Sequence, residues 1–314
     1  MATAYDLIWG NNTGVQGARD KLDDLIVPLD WSDPELLGYF NTAYNEWVRE
    51  THCLRDDATS AICQIPILAN TLNYPMDSRI LQIHNGWLLI ASDMPHLDVK
   101  TEIWLDRNCY NWRTISGLSR YLLPDYPAGT IKIVRFPSPT LGYYSGSVTF
   151  TAATSTIAIG TDTYSMMSNL VQGAQVVVTG AVLNNGANNQ TFTVATVGTT
   201  SFTVTGTLVN ETASAVAISK IVDTLCISVD RLPLVSITTA NWQNQALEIR
   251  SDYQPYLIDG ILREAYQKQD SQCLDVNKAN EHRGIFDKNK AKVYNEIQRL
   301  RFGPTVLVPN RGRL

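Results

Sequence analysis

The chain has 314 residues, 44% of them hydrophobic, and a net charge of −5. That length supports one large domain or two ordinary ones without disulfide or metal staples, and a mild, dispersed negative charge excludes a global field drawing the protein to nucleic acid or membrane. Five cysteines without a CxxC or a short paired spacing argue against a zinc site and a disulfide framework and predict reduced thiols.

The opening MATAYDLIWGNN has neither a basic n-region nor a long apolar run, and no stretch of about eighteen apolar residues occurs anywhere, so a soluble protein without an export signal is expected. Ala18 to Leu29 predicts a helix with Leu22, Leu25 and Ile26 on one side, ended at Pro28. WSDPELLGYFNTAYNEWVRETH then carries a strong helix start: Ser32 as N-cap, Glu35 as its capping-box partner, and Trp31 placed to staple against Leu36. Its apolar residues Leu36, Leu37, Phe40, Ala43, Tyr44 and Trp47 make a face broad enough for two partner helices.

From Ala61 the pattern becomes short Ile-, Leu- and Val-containing segments broken by Pro, Asn and Gly, among them AICQIPI, RILQIHNGWLLIA, RYLLPDY and TIKIVRF. These predict strands joined by turns. Trp87, Trp104 and Trp112 fall here and are expected to pack in the core or at its rim. From 145 to 222 the composition shifts to Thr, Val, Ala, Gly, Ser and Asn, with Asp162, Glu211 and Lys220 as the only charges. β-Branched and aromatic residues alternate there with small polar ones, which predicts a small sandwich or barrel. TLCISVDRLPL follows and is expected to pair with TIKIVRF, making the small domain an insertion in a hairpin.

Gln254 to Phe302 predicts two helices. Leu257, Ile258, Ile261, Leu262 and Ala265 give the first its buried face. In the second, Val276, Ala279, Arg283, Phe286, Lys290, Val293, Ile297 and Leu300 step by three and four. Arg283 and Lys290 are basic positions in that seam, as expected where helices pack loosely against another subunit and long side chains snorkel to water. The alternative is a partly exposed amphipathic helix. Lys288 and Lys292 add to the basic character, so contact with phosphate or an acidic partner is a second expectation. The tail GPTVLVPNRGRL is apolar, flanked by Pro and Gly and basic at its tip, which suits a disordered end or a docking arm.

No phosphate-binding GxxxxGK[ST], HExxH or GxSxG occurs, and GNNTGVQG lacks the strand a dinucleotide fold needs before it. His52, His84, His96 and His282 fall in separate segments without metal-ligand spacing. No catalytic constellation stands out, and no metal or cofactor is expected.

With these pieces together the chain resembles the head-to-tail adaptor (connector) proteins of tailed bacteriophages. The resemblance rests on WSDPELLGYFNTAYNEWVRETH, ICQIPILANTLNYPMDSRILQI and YLIDGILREAYQKQDSQCLDVNKANEHRGIFDKNKAKVYNEI. Together with the residue pattern it leads to the expectation of an α+β fold: a helical adaptor body (1–144 and 223–302) with an antiparallel β-rich region, an inserted small all-β sandwich-like domain (145–222) and a C-terminal arm (303–314). The resemblance also implies a virion protein of the head-tail interface, made in the host cytoplasm, with no enzyme activity. Such a protein forms a ring, commonly of twelve copies, between the portal protein and tail or nozzle proteins, around transiently passing double-stranded DNA and away from membrane. Arg283, Lys288, Lys290 and Lys292 are then candidate inter-subunit or DNA-channel contacts. Phe302, Val306, Leu307, Val308, Arg311 and Arg313 are candidate portal-docking residues of the arm. The insert departs from simpler members, and an outward position is expected for it because its few charges make a poor liner for a DNA channel. Competing readings are a glycan-binding or fibre-attachment tail protein using the insert, a lysis or depolymerase enzyme, and a tail terminator.

Overall fold

The computed structural model describes residues 2–10, 16–89, 96–164, 166–182, 186–269 and 273–302. Eight helices are present among them: α1 (Ala4–Trp9), α2 (Ala18–Leu22), α3 (Asp33–Thr51), α4 (Ser60–Cys63), α5 (Glu102–Asn108), α6 (Met166–Asn169), α7 (Leu257–Ala265) and α8 (Val276–Phe302). The strands are β1 (Arg55–Asp56), β2 (Gln64–Leu68), β3 (Asn73–Pro75), β4 (Ile80–Leu88), β5 (His96–Val99), β6 (Tyr121–Asp125), β7 (Thr130–Val134), β8 (Tyr143–Thr151), β9 (Thr156–Ile159), β10 (Gln175–Thr179), β11 (Thr191–Val197), β12 (Ser201–Thr205) and β13 (Glu211–Arg231). The chain forms two compact units, one of Met1–Arg55, Arg79–Gln82 and Asp230–Leu314, the other of Asp56–Ser78 and Ile83–Val229.

The expected helical body with a small β insert is corrected by the strand pairing. All thirteen strands belong to one mixed sheet, in the order β10-β11-β12-β9-β8-β13-β4-β5-β6-β7-β3, with β1 and β2 also on β13. Seven of them precede residue 145, so the sheet is the larger part of the fold and not an appendage. The physical cause is β13, a continuous strand of 21 residues. Its first half pairs with β8 and β10, and its second half with β2 from Ile221↔Leu68 to Cys226↔Gln64. The expected hairpin between this strand and TIKIVRF is likewise replaced, because β7 pairs with β6 and β3. β5 and β6 form a parallel pair.

Because β10 bonds both β11 and β13, the antiparallel strands β8 to β13 close on themselves as a six-stranded barrel. Closure leaves no unpaired edge in a segment almost without charges to guard one. Phe150, Ile157, Val176, Phe192, Val194, Phe202, Val204 and Ile218 fill it. Gly180, at φ 89, passes 2.4 Å (measured from an added Cβ) from the Ala215 carbonyl, an approach that only glycine permits. In the second unit Leu105, Trp112, Leu123 and Val134 form a smaller cluster, with Trp104 packed against it.

The second helix of the helical unit is shorter than the sequence predicts. α2 stops at Leu22, where Asp23 adopts the left-handed region at φ 57. The neighbouring Asp24 turns inward to pair with the fully buried Arg19, and this pairing outweighs continuation of the helix. Leu25 and Ile26, expected on an apolar helix face, consequently lie in solvent. α3 begins as its sequence predicts, with the Glu35 carboxylate accepting from the Ser32 N–H at 2.8 Å. Trp31 is buried, and its indole N–H donates to the Ala265 carbonyl at 3.2 Å.

Candidate functional site

The face of α3 predicted to meet two helices does so: Leu36, Phe40, Ala43, Tyr44 and Trp47 share a core with Leu257, Ile261, Phe286 and Val293 of α7 and α8. Gly260 sets how closely the three helices cross. A Cβ there would lie 2.6 Å from the Ala43 Cβ and 3.0 Å from the Phe286 ring, so any larger residue would push the helices apart. Trp47 packs against Phe286 with ring centres 5.5 Å apart and against Tyr256 at 5.7 Å.

Charged side chains gather on one side of this crossing. Glu46 of α3 accepts from the Arg263 guanidinium of α7 at 2.8 and 3.2 Å and from the Lys290 ammonium of α8. Lys290 also meets Glu50 at 2.8 Å and Asp287 at 2.9 Å, while Arg263 has a second partner in Glu264 at 2.5 Å. Both cations lie over the Phe286 ring, at 5.4 Å for Arg263 and 4.8 Å for Lys290. The ring's negative face adds to the carboxylates in holding them. A cavity of about 510 Å³ opens here, with Arg283 and Tyr294 also on its wall.

Burial raises the Glu46 carboxyl, but the hydrogen bonds from Arg263 and Lys290 outweigh it and hold the group below its ordinary value. For Lys290, burial depresses the ammonium, and the bonds to Asp287, Glu46 and Glu50 more than reverse that, leaving it raised. Both shifts keep the charged forms in place near neutrality. Chemically the cluster is a polar lock among three helices, with the half-exposed carboxylates of Glu50 and Asp287 at its mouth.

The basic residues singled out in the sequence separate in the structure. Lys290 is buried and its ammonium meets three carboxylates of its own chain. Arg283 is exposed on the cavity rim and has no carboxylate partner among the described residues. Lys288 and Lys292 are exposed, the latter 6.0 Å from the centre of the Tyr256 ring. Of the seam, Ala279, Phe286, Val293 and Ile297 are buried within the chain, whereas Val276 and Leu300 are exposed. Phe302 closes α8, but its side chain and Val306, Leu307, Val308, Arg311 and Arg313 lie outside the described residues.

Arg301 holds the end of α8. It donates to both carboxylate oxygens of the fully buried Asp230 at 2.7 Å and to the His52 carbonyl at 2.6 Å, a bidentate arrangement that fixes direction as well as distance. The sequence reading missed Glu46, Glu50, Arg263 and Asp230. A signal existed for the first two, which stand four residues apart on the helix with the clearest start. Among the described residues, no group of three or more His, Cys, Asp and Glu side chains could hold a metal ion. No helix there is long and apolar enough to cross a membrane. No protein-family model matches the chain, and comparison with curated proteins gives no match.

Proposed function

We propose that this chain is a structural virion protein, a head-to-tail adaptor whose ring joins the portal to the tail and continues the DNA channel. The observation that supports the reading is that two of the three segments carrying the resemblance, Trp31 to His52 and Tyr256 to Ile297, pack together as one helical core. A ring subunit bears load through its helices, and the Glu46–Lys290–Arg263 lock holds α3, α7 and α8 in register for that task. In this reading the portal protein lies above, tail or nozzle proteins below, and the chain repeats itself, commonly twelve times, around transiently passing double-stranded DNA. The protein works by assembly, without a catalytic step or a cofactor, at the neck of the virion. The tail from residue 303 onward docks on the portal, starting from the helix end that Arg301 fixes.

A second reading, fibre attachment or glycan binding through 145–222, is favoured by one feature of the barrel. Its three charges are all tied internally: Asp162 accepts from the Met166 and Met167 N–H groups, Glu211 from Val182 and Asn188, and Lys220 donates to the Asn169 carbonyl. The outer face is left rich in hydroxyls, with only the half-exposed Asp162 and Lys220 as charges, which suits a neutral ligand.

Producing particles without this chain separates the two. Filled heads that lack tails and leak DNA are the expected result. Complete tailed particles that fail only to adsorb to cells would reject the adaptor and favour fibre attachment.

A further inference from the structure

The shortened helix α2 has a consequence for assembly. Ile26 and Val27 are 83% and 81% exposed, with Leu25 at 51% and Pro28 exposed beside them. Four adjacent apolar residues in water form a patch that a soluble surface ordinarily avoids.

The tip is firmly based. Asp24, paired with the buried Arg19, accepts from the Asp30 N–H at 2.8 Å and so closes the loop. Arg19 donates further to the Trp31 carbonyl at 2.9 Å and to Asp33 at 2.7 Å, and stacks on Trp9 at 4.4 Å. A tip held this way loses little freedom when something covers it.

The same unit carries a concave counterpart. Asn41, Tyr44, Asn45, Pro233, Val235, Ser236 and Ile237 line a cavity of about 260 Å³ without a charged side chain; Asn41, Asn45 and Ser236 supply its polar part, and Pro233 and Val235 its accessible apolar part. Its position on α3, about 12–18 Å along the helix from Asp33, is out of reach of a closed loop whose tip extends at most about 10 Å from its ends. The tip therefore cannot fill the cavity of its own chain.

Charge says which way the two halves meet. The Asp23 and Asp30 side chains flank the tip, are exposed, and form no ion pair among the described residues, while the Asp30 carbonyl accepts from the Lys268 ammonium at 2.6 Å. Arg49 extends the Asn41–Asn45 stripe of α3 by one turn, beside the cavity, and is exposed without a carboxylate partner among the described residues.

We propose that the Leu25–Pro28 tip of one copy inserts into the Tyr44–Val235–Ile237 cavity of a second copy, where Arg49 of the second copy meets Asp23 and Asp30. Each copy presents both halves, so the contact is heterologous and repeats head to tail. This deepens the adaptor reading and rests on it, since a ring requires such a contact.

Two variants of the full chain test it by sedimentation velocity. Ile26→Asp disables the tip, and Val235→Trp fills the cavity. Wild type assembles in a concentration-dependent way, each variant alone sediments as a monomer, and their equimolar mixture gives a discrete dimer through the one intact tip and the one intact cavity. Arg49→Asp weakens self-association at least tenfold, and Asp23→Arg with Asp30→Arg in the same chain restores it. A monomeric wild type at every concentration, unchanged assembly of Ile26→Asp, or a mixture without dimers overturns the contact. Failure of the adaptor reading is distinct: it appears as variant-sensitive self-association in a protein that particles carry away from the neck.

Discussion

In the helical unit, Arg19, Arg263 and Lys290 are each less than 10% exposed and all are ion-paired. In the barrel, the segment 145–222 has three charged residues in all, and its core is Phe150, Phe192 and Phe202 surrounded by aliphatics. Both regions are well packed, yet they specify geometry by different means. Barrel strands are held in register by hydrogen bonding and by the alternation of in-facing and out-facing side chains, so directional charges add little. Helices can slide and rotate against one another, and a buried ion cluster that is satisfied in one arrangement alone selects that arrangement at a cost in desolvation. The difference teaches where each region is vulnerable: the helical unit to loss of a single partner, the barrel to loss of core volume.

The largest expected effect comes from the aromatic that both cations share. Phe286→Ala removes a fully buried ring under Arg263 and Lys290 and should cost about 3–5 kcal/mol. Hydrogen exchange should show it as lost protection in α3, α7 and α8, and retained protection in those helices would contradict the account. Gly260→Ala comes next, at about 1–3 kcal/mol from overpacking against Ala43 and Phe286, read from the urea midpoint.

Lys290→Met should be milder, about 1–2 kcal/mol, because Glu50 and Asp287 are half-exposed and regain water. Its diagnostic is pH dependence. The Glu46 pKa is lowered in the fold, so its contribution is complete above about pH 5 and is lost as pH falls through the folded value. The Lys290 pKa is raised, so its contribution is complete below about pH 10 and is lost as pH rises through the folded value. Urea midpoints across this range should show both arms in wild type, with the alkaline arm shallower in Lys290→Met but not abolished, because burial also raises the Tyr44 and Tyr253 hydroxyls. The smallest effect belongs to the barrel's outer face. Thr196 and Thr203 hydrogen-bond to each other at 2.7 Å in an exposed position, and Thr196→Val with Thr203→Val should change stability by about 0.5 kcal/mol or less.

Local features were readable from the sequence. The Ser32–Glu35 start of α3 and the seams of α7 and α8 depend on residues three and four apart, which periodicity reports directly. What escaped depends on distant partners. Glu46 lies 244 residues from Lys290, so a basic residue in an apolar seam could be noticed while the acids that neutralise it could not. Asp24 reads as one of several surface acids around Ala18–Leu29, and only its pairing with Arg19 explains why the helix ends early. The fold class failed for a related reason. Each short strand carries its own pattern, but nothing local in Glu211–Arg231 says that one strand pairs with β8 and β10 at one end and β2 at the other.

The adaptor reading is tested most directly by an electron cryomicroscopy map of the intact particle neck into which this chain is placed. The account predicts a closed ring of copies between portal and tail, with the Leu25–Pro28 tip at the boundary between neighbours. Density for the chain at fibre attachment points, or no copies at the neck, would contradict it.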